Sequence, residues 1–175
     1  MPFGDTHFDL IVSNLGINNF ADPQAVMREC YRVARPGATM AVTTNARGHY
    51  AEFYAVFRDV LRAMGRSDYA ERLEVEEAHR GGEKELHALL HDAGFGVSEV
   101  VKETFTMRFL DGSAMLNHRL VRIGFLDGWR GVLESKDEVT IFSAIEERLN
   151  EIAAERGGLQ MSVPMLYIEG VKAQE

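Results

Sequence analysis

Two short polar stretches stand directly after apolar runs, and their residue types suit ligand positioning. The first is Ser13-Asn14-Leu15-Gly16-Ile17-Asn18-Asn19, which follows residues 8–12, apolar but for Asp9. The second is Asn45-Ala46-Arg47-Gly48-His49, which follows residues 39–44. Asparagine offers a donor and an acceptor without charge, and glycine lets a backbone come close to a ligand. The competing reading is that Asn18 and Asn19 merely satisfy a turn. His49 is the best-placed general base, with Glu52 three residues on; a solvated loop histidine is the alternative. His87 and His91 lie four apart on one helical face, a spacing that suits a metal. Ala88 stands where a zinc protease carries glutamate, and no third ligand is evident, so no metal is assigned. His7, His79 and His118 have no evident partners.

The elements that must carry these loops can be read from periodicity. Residues 8–12, Phe-Asp-Leu-Ile-Val, form a run that is apolar but for Asp9, as in a parallel strand covered on both faces. Asp22 is a helix N-cap and Pro23 suits the first helical position. Val26, Met27, Cys30, Tyr31, Val33 and Ala34 then recur at three- and four-residue steps. Arg35-Pro36-Gly37 ends that helix, and residues 39–44 form a second strand, which makes a right-handed βαβ unit. Further on, the pattern predicts helices over 50–64, 69–78, 83–93 and 136–156, one or two helices within 111–133, and strands over 101–109 and 163–171. Along 101–109, Val101, Phe105, Met107 and Phe109 share one face. Gly94-Phe95-Gly96 follows a helix and precedes a strand, so it reads as a helix stop rather than a nucleotide-binding turn, which needs the opposite order.

A chain of 175 residues with 46% apolar and 26% charged residues reads as one globular domain over 1–175. The net charge of −8 disfavours nonspecific binding to nucleic acid or to an anionic membrane. No apolar run approaches the ~20 residues that span a bilayer. The single cysteine, Cys30, sits on an apolar helix face and reads as a buried, inert thiol; a cytoplasmic location is expected.

The run Phe8-Asp9-Leu10-Ile11-Val12-Ser13-Asn14-Leu15-Gly16, then Asp22-Pro23, then Glu29-Cys30-Tyr31-Arg32-Val33-Ala34-Arg35-Pro36-Gly37, resembles class I S-adenosylmethionine-dependent methyltransferases. The likeness is to the branch that includes quinone- and biotin-pathway enzymes. The resemblance implies an α/β fold: the C-terminal half of a Rossmann-like sheet of about four strands, mostly parallel with an antiparallel last strand, and a helical insertion over about 111–156. It implies S-adenosylmethionine as cofactor, with Ser13, Asn14, Leu15 and Gly16 along the cofactor's edge. Ile17, Asn18, Asn19, Asn45 and Arg47 would face a small-molecule acceptor. The family's glycine-rich turn and second-strand acid have no counterpart here, so cofactor binding by this chain alone is expected to be weak or absent. The activity implied is methyl transfer, with this chain as the acceptor-side half. The alternative is a non-catalytic interaction module that self-associates or pairs with a cofactor-binding subunit. Without the other half, residues 8–13 become an edge strand, and a dimer or a partner chain covering that edge is expected.

Overall fold

Asp22 accepts a hydrogen bond from the Ala25 backbone N–H at 2.8 Å and so starts α1 (Pro23–Val33), with proline at the position where a missing donor costs nothing. Ahead of it, β1 (Phe8–Asn14) leads into a 3-10 turn over Ile17–Asn19. Behind it, the chain passes directly from Val33 into β2 (Ala34–Asn45). The turn expected at Arg35-Pro36-Gly37 is absorbed into this strand. Gly37, at φ +79°, lets the backbone fold back on itself, and the pairing jumps from Phe8↔Ala34 to Leu10↔Thr39. From there β1 and β2 run parallel as far as Asn14↔Thr43.

The structure, a computed structural model, describes residues 1–78 and 80–174; His79 and Glu175 lie outside the described residues. With β3 (Gly96–Phe109) and β4 (Leu159–Val171), the sheet has four strands in the order β1-β2-β4-β3, and β4 is antiparallel to β2. This is the α/β arrangement with an antiparallel last strand that the sequence implied. The helices are α2 (Ala51–Ala63), α3 (Ala70–Ala78), α4 (Glu83–Ala93), α5 (Gly112–Leu116), α6 (Arg119–Gly124), α7 (Leu126–Gly131) and α8 (Ser135–Arg156). Residues 111–133 therefore hold three short helices, not one or two. Extended backbone at His118 and non-helical angles at Phe125, next to Gly124, make the breaks.

The chain gathers into two compact units. The first comprises Met1–Arg47, Arg80–Phe105 and Pro164–Glu175. Its core packs Met27 and Cys30 of α1 and Leu86 and Leu90 of α4 against Met40, Val42, Leu166 and Ile168 of the sheet. Burial pushes the Cys30 thiol above its ordinary value, which fits an inert thiol. Gly94 ends α4 at φ +106°, where a Cβ would come within 2.9 Å of the Tyr31 ring. Lys172, just past β4, donates from Nζ to the carbonyls of Tyr31 and Ala34, each at 2.9 Å, and so satisfies the end of α1. The other face of this sheet is open. β1 is covered on one face only, with Leu10 58% and Val12 62% exposed, and on β3 Phe105 is 55% exposed.

The second unit comprises Gly48–His79 and Thr106–Val163 and is built around aromatic rings. Trp129 stacks on Phe53 at 3.9 Å and donates its indole N–H to the Tyr54 hydroxyl at 3.1 Å. Tyr69 is buried; its hydroxyl donates to Asp137 Oδ2 at 2.6 Å and accepts from the Glu134 N–H at 3.2 Å. α8 buries Ile141, Ile145, Leu149 and Ala153. Gly112 fits against α8 where a Cβ would meet Leu149 Cβ at 2.7 Å and the Glu146 carbonyl at 2.9 Å.

Candidate functional site

Because β1 and β2 are parallel, both strands deliver their C-terminal loops to the same edge of the sheet, where ligands of open α/β sheets bind. The loop after β1 turns through Leu15, a non-glycine residue in the left-handed region at φ +57°; such a conformation persists only when its surroundings hold it. Here the Leu15 N–H donates to the Thr43 carbonyl at 2.9 Å. Asn14 Oδ1 accepts from the Thr43 hydroxyl. Ile17 is buried in the core and anchors the turn from below. Asn18 Nδ2 then reaches across to the Asn45 carbonyl at 3.2 Å, which ties the two loops together. The Ala46 N–H closes the arrangement on the Pro164 carbonyl at 2.9 Å.

The structure thus brings Ser13, Asn14, Leu15, Gly16, Ile17, Asn18, Asn19 and Asn45 into one ridge. Asn18 and Asn19 donate to backbone carbonyls, Asn19 to that of Leu15 at 3.3 Å, so their amide N–H groups do satisfy a turn; their carbonyl oxygens are what they can offer a ligand. Gly16 has ordinary angles, φ −87°, and the close approach it permits is to its own neighbours. An added Cβ would lie 3.0 Å from Ser13 Oγ and 3.4 Å from the Phe20 ring. Arg47 is exposed and pairs with Glu85 at 3.1 Å. The backbone N–H groups of Glu85 and Gly82, with Arg47 beyond them, hold the Glu85 carboxyl below its usual range. Thr43 and Phe20 were missed from sequence. Thr43 had a signal, since parallel register sets it opposite Asn14; Phe20 had none.

His49 belongs to the second unit and is not solvated. It is 4% exposed, stacked on Tyr50 at 4.2 Å and on Phe125 at 5.0 Å. Tyr50 itself adopts left-handed angles, φ +55°, at the start of α2. Burial alone would raise the Glu52 carboxyl, but hydrogen bonds from the Ser162 hydroxyl at 2.5 Å and the Ser162 N–H at 2.9 Å bring it below its ordinary value. His87 and His91 are exposed, and among the described residues no group of three or more His, Cys, Asp or Glu is arranged to hold a metal. His7 stacks on Phe3 and meets the Phe8 ring edge-on, and His118 meets Phe109. His79 lies outside the described residues.

Residues 1–42 match the family model described as a methyltransferase domain. The chain is 31% identical over 114 residues to a demethylmenaquinone methyltransferase of Geobacillus sp. (strain WCH70), covering 60% of this chain and 49% of that protein. It is 34% identical over 104 residues to the enzyme of the same name in Listeria welshimeri, covering 54% of this chain and 44% of that protein. The resemblance to class I S-adenosylmethionine-dependent methyltransferases is borne out. The chain spans about half the length of the curated relatives it matches. The fold agrees. The YcgJ protein of Bacillus subtilis superimposes with a TM-score of 0.53 at 15% identity, over 100% of this chain and 68% of that one. A methyltransferase of Methanosarcina mazei superimposes with a TM-score of 0.50 at 16% identity, over 100% and 64%. The sequence supplies no strand–glycine–helix turn for the ribose and adenine.

Proposed function

We propose that this chain is the acceptor-side half of an S-adenosylmethionine-dependent methyltransferase acting on a small molecule, residues 1–175 forming one partial domain. The observation that carries this reading is the hydrogen-bonded ridge at the carboxyl edge of β1 and β2, built from methyltransferase-like sequence and held in a left-handed turn at Leu15. In this role Ser13, Asn14, Leu15 and Gly16 border the cofactor, and Ile17, Asn18, Asn19, Asn45 and Arg47 face the acceptor. Methyl transfer from a sulfonium is an in-line displacement for which the bound cofactor supplies both methyl and leaving group. What remains for the protein is alignment of the acceptor and exclusion of water. His49 is the proposed base for an acceptor that must lose a proton.

The exposed outer side of β1 supports a partner in this reading, either a second copy or a chain carrying the cofactor half, and the setting we propose is cytoplasmic. Among the described residues no helix is long and apolar enough to cross a membrane. Calorimetric titration with S-adenosylhomocysteine tests the proposal. The chain alone should bind weakly or not at all, and addition of a separately produced methyltransferase N-terminal half should restore binding. Micromolar binding by the chain alone would show that the other half is not required. No binding in either case would favour the second reading, a non-catalytic module that pairs through the same edge.

A further inference from the structure

The second unit holds a cleft of about 550 Å³ between α2, α8 and the start of β4. Glu52, Ala55, Val56 and Asp59 recur at three- and four-residue steps and so turn one face of α2 into it. Its floor is apolar, with Val56, Leu149, Leu159 and Met161 all buried. β4 stands between β2 and β3 in the sheet, away from the open β1 edge. Two polar features of the cleft are not used up by the fold. The first is a stretch of strand edge. From Lys172 back to Ser162, the even-numbered residues of this strand turn their backbone groups to the β2 side. Lys172 bonds Gly37 and Ala38, the Pro164 carbonyl accepts from Ala46, and the Ser162 carbonyl accepts from the Tyr50 N–H at 2.8 Å. Gln160 is next on that edge and lines the cleft, where β2 has already ended at Asn45 opposite Met165. The second is a carboxylate. Glu52 accepts from the Ser162 N–H at 2.9 Å and from its hydroxyl at 2.5 Å, one bond to each oxygen, so each oxygen keeps a lone pair to offer. Burial alone would raise this carboxyl, but the Ser162 bonds bring it lower, and it is ionised at neutral pH.

The other charges of the cleft leave Glu52 uncompensated. Asp59 is paired with Arg62 at 2.8 Å and Arg148 with Glu151 at 2.7 Å, and Glu155 and Arg156 carry opposite signs. We propose that this cleft binds a small amphiphilic amine, its primary or secondary ammonium between Glu52 and the Gln160 carbonyl and its apolar body on Val56, Leu149, Leu159 and Met161. Ammonium N–H groups are the donors that a carboxylate and a carbonyl require. A quaternary ammonium has no N–H, and among the described residues no aromatic ring lines the cleft to hold one on its face. A carboxylate ligand would meet the like charge of Glu52. A neutral apolar ligand would strip water from Glu52 and Gln160 and return no hydrogen bond. The volume lies within the range of small-molecule sites, about 300–1,000 Å³. The inference is independent of the methyl-transfer reading, which sets its acceptor against Ile17, Asn18, Asn19, Asn45 and Arg47.

The test titrates the full chain with three probes of one chain length, hexylamine, hexanoate and hexyltrimethylammonium, and follows backbone amide shifts by nuclear magnetic resonance. Hexylamine should bind saturably and move the amides of Gln160 and Ser162. Hexanoate should not bind, and hexyltrimethylammonium should bind at least about tenfold more weakly, its charge kept but its donors gone. Glu52→Gln keeps an oxygen for the Ser162 N–H and removes the charge, and should weaken hexylamine about tenfold. Ala55→Phe, at an exposed position of α2, fills the cleft and should abolish binding while the circular dichroism melt is unchanged. Equal binding of the three probes, wild-type affinity in either variant, shifts confined to other residues, or no binding of hexylamine would overturn the inference. Should a variant melt early, the comparison of probes on the unaltered chain still decides. Titration with S-adenosylhomocysteine reads the methyl-transfer proposal separately.

Discussion

Substituting Asn18 by alanine severs the side-chain link between the two loops of the candidate site, and its effect can be sized from the geometry. The bond from Asn18 Nδ2 to the Asn45 carbonyl is 3.2 Å long and only partly buried. Water can therefore reach the abandoned carbonyl, and the cost should be that of a net hydrogen bond, about 0.5–1.5 kcal/mol, rather than the larger penalty of a buried orphan. If the loss is local, opening of the loop becomes about 2- to 13-fold more frequent. Amide hydrogen exchange reads this directly at Leu15, whose N–H is held by the Thr43 carbonyl, and at Asn19, whose N–H is held by the Gly16 carbonyl. Exchange at both should accelerate by that factor, while amides of α2 and α8 keep their rates. Unchanged exchange at Leu15 and Asn19 would refute the idea that the loops stabilise each other. A uniform acceleration throughout the chain would refute the claim that the link is local.

Three further outcomes are expected. Tyr69→Phe removes a buried hydroxyl that serves both Asp137 and the Glu134 N–H, and should lower stability by about 1–3 kcal/mol in urea unfolding. Gly112→Ala pushes a Cβ to within 2.7 Å of Leu149 Cβ and 2.9 Å of a backbone oxygen of α8, and should cost about 1–3 kcal/mol; a neutral result would mean that α5 shifts freely. The Arg32 guanidinium beside Glu29 holds its carboxyl down at about 2. The folded value lies below the ordinary one of 4.5, so this contribution is full above pH 4.5 and is lost as pH falls towards 2. Glu29→Gln should flatten the acid limb of the stability profile in that window.

Local chemistry made much of this fold legible. The capping pair Asp22-Pro23 and the stop at Gly94 fix α1 and α4, and both helices stand where the periodicity put them. What escaped was decided by neighbours in space. Gly37 admits an irregular pairing that carries β2 back to Ala34, and nothing in residues 34–38 alone announces a strand. The run of β1 implied two covered faces in a complete sheet, and the exposure of Leu10 and Val12 shows that one of them is open here. At the site, the asparagines were visible by type, but their division into donors already committed and oxygens still available depends on Asn45 and Leu15 as partners. His49 looked like a solvated loop residue because its sequence neighbours are polar. Phe125, far along the chain, is what encloses it.

Lys172 carries a consequence for the timing of folding. Its ammonium is the group that closes the carboxyl end of α1, yet it lies 141 and 138 positions away from the carbonyls it serves. The last turn of α1 stays unclasped until a span of at least 138 residues closes back onto it. Contacts of such long span slow the search for the native state. Lys172→Met should leave the last turn of α1 unclasped, read as faster amide hydrogen exchange there than in the wild-type chain.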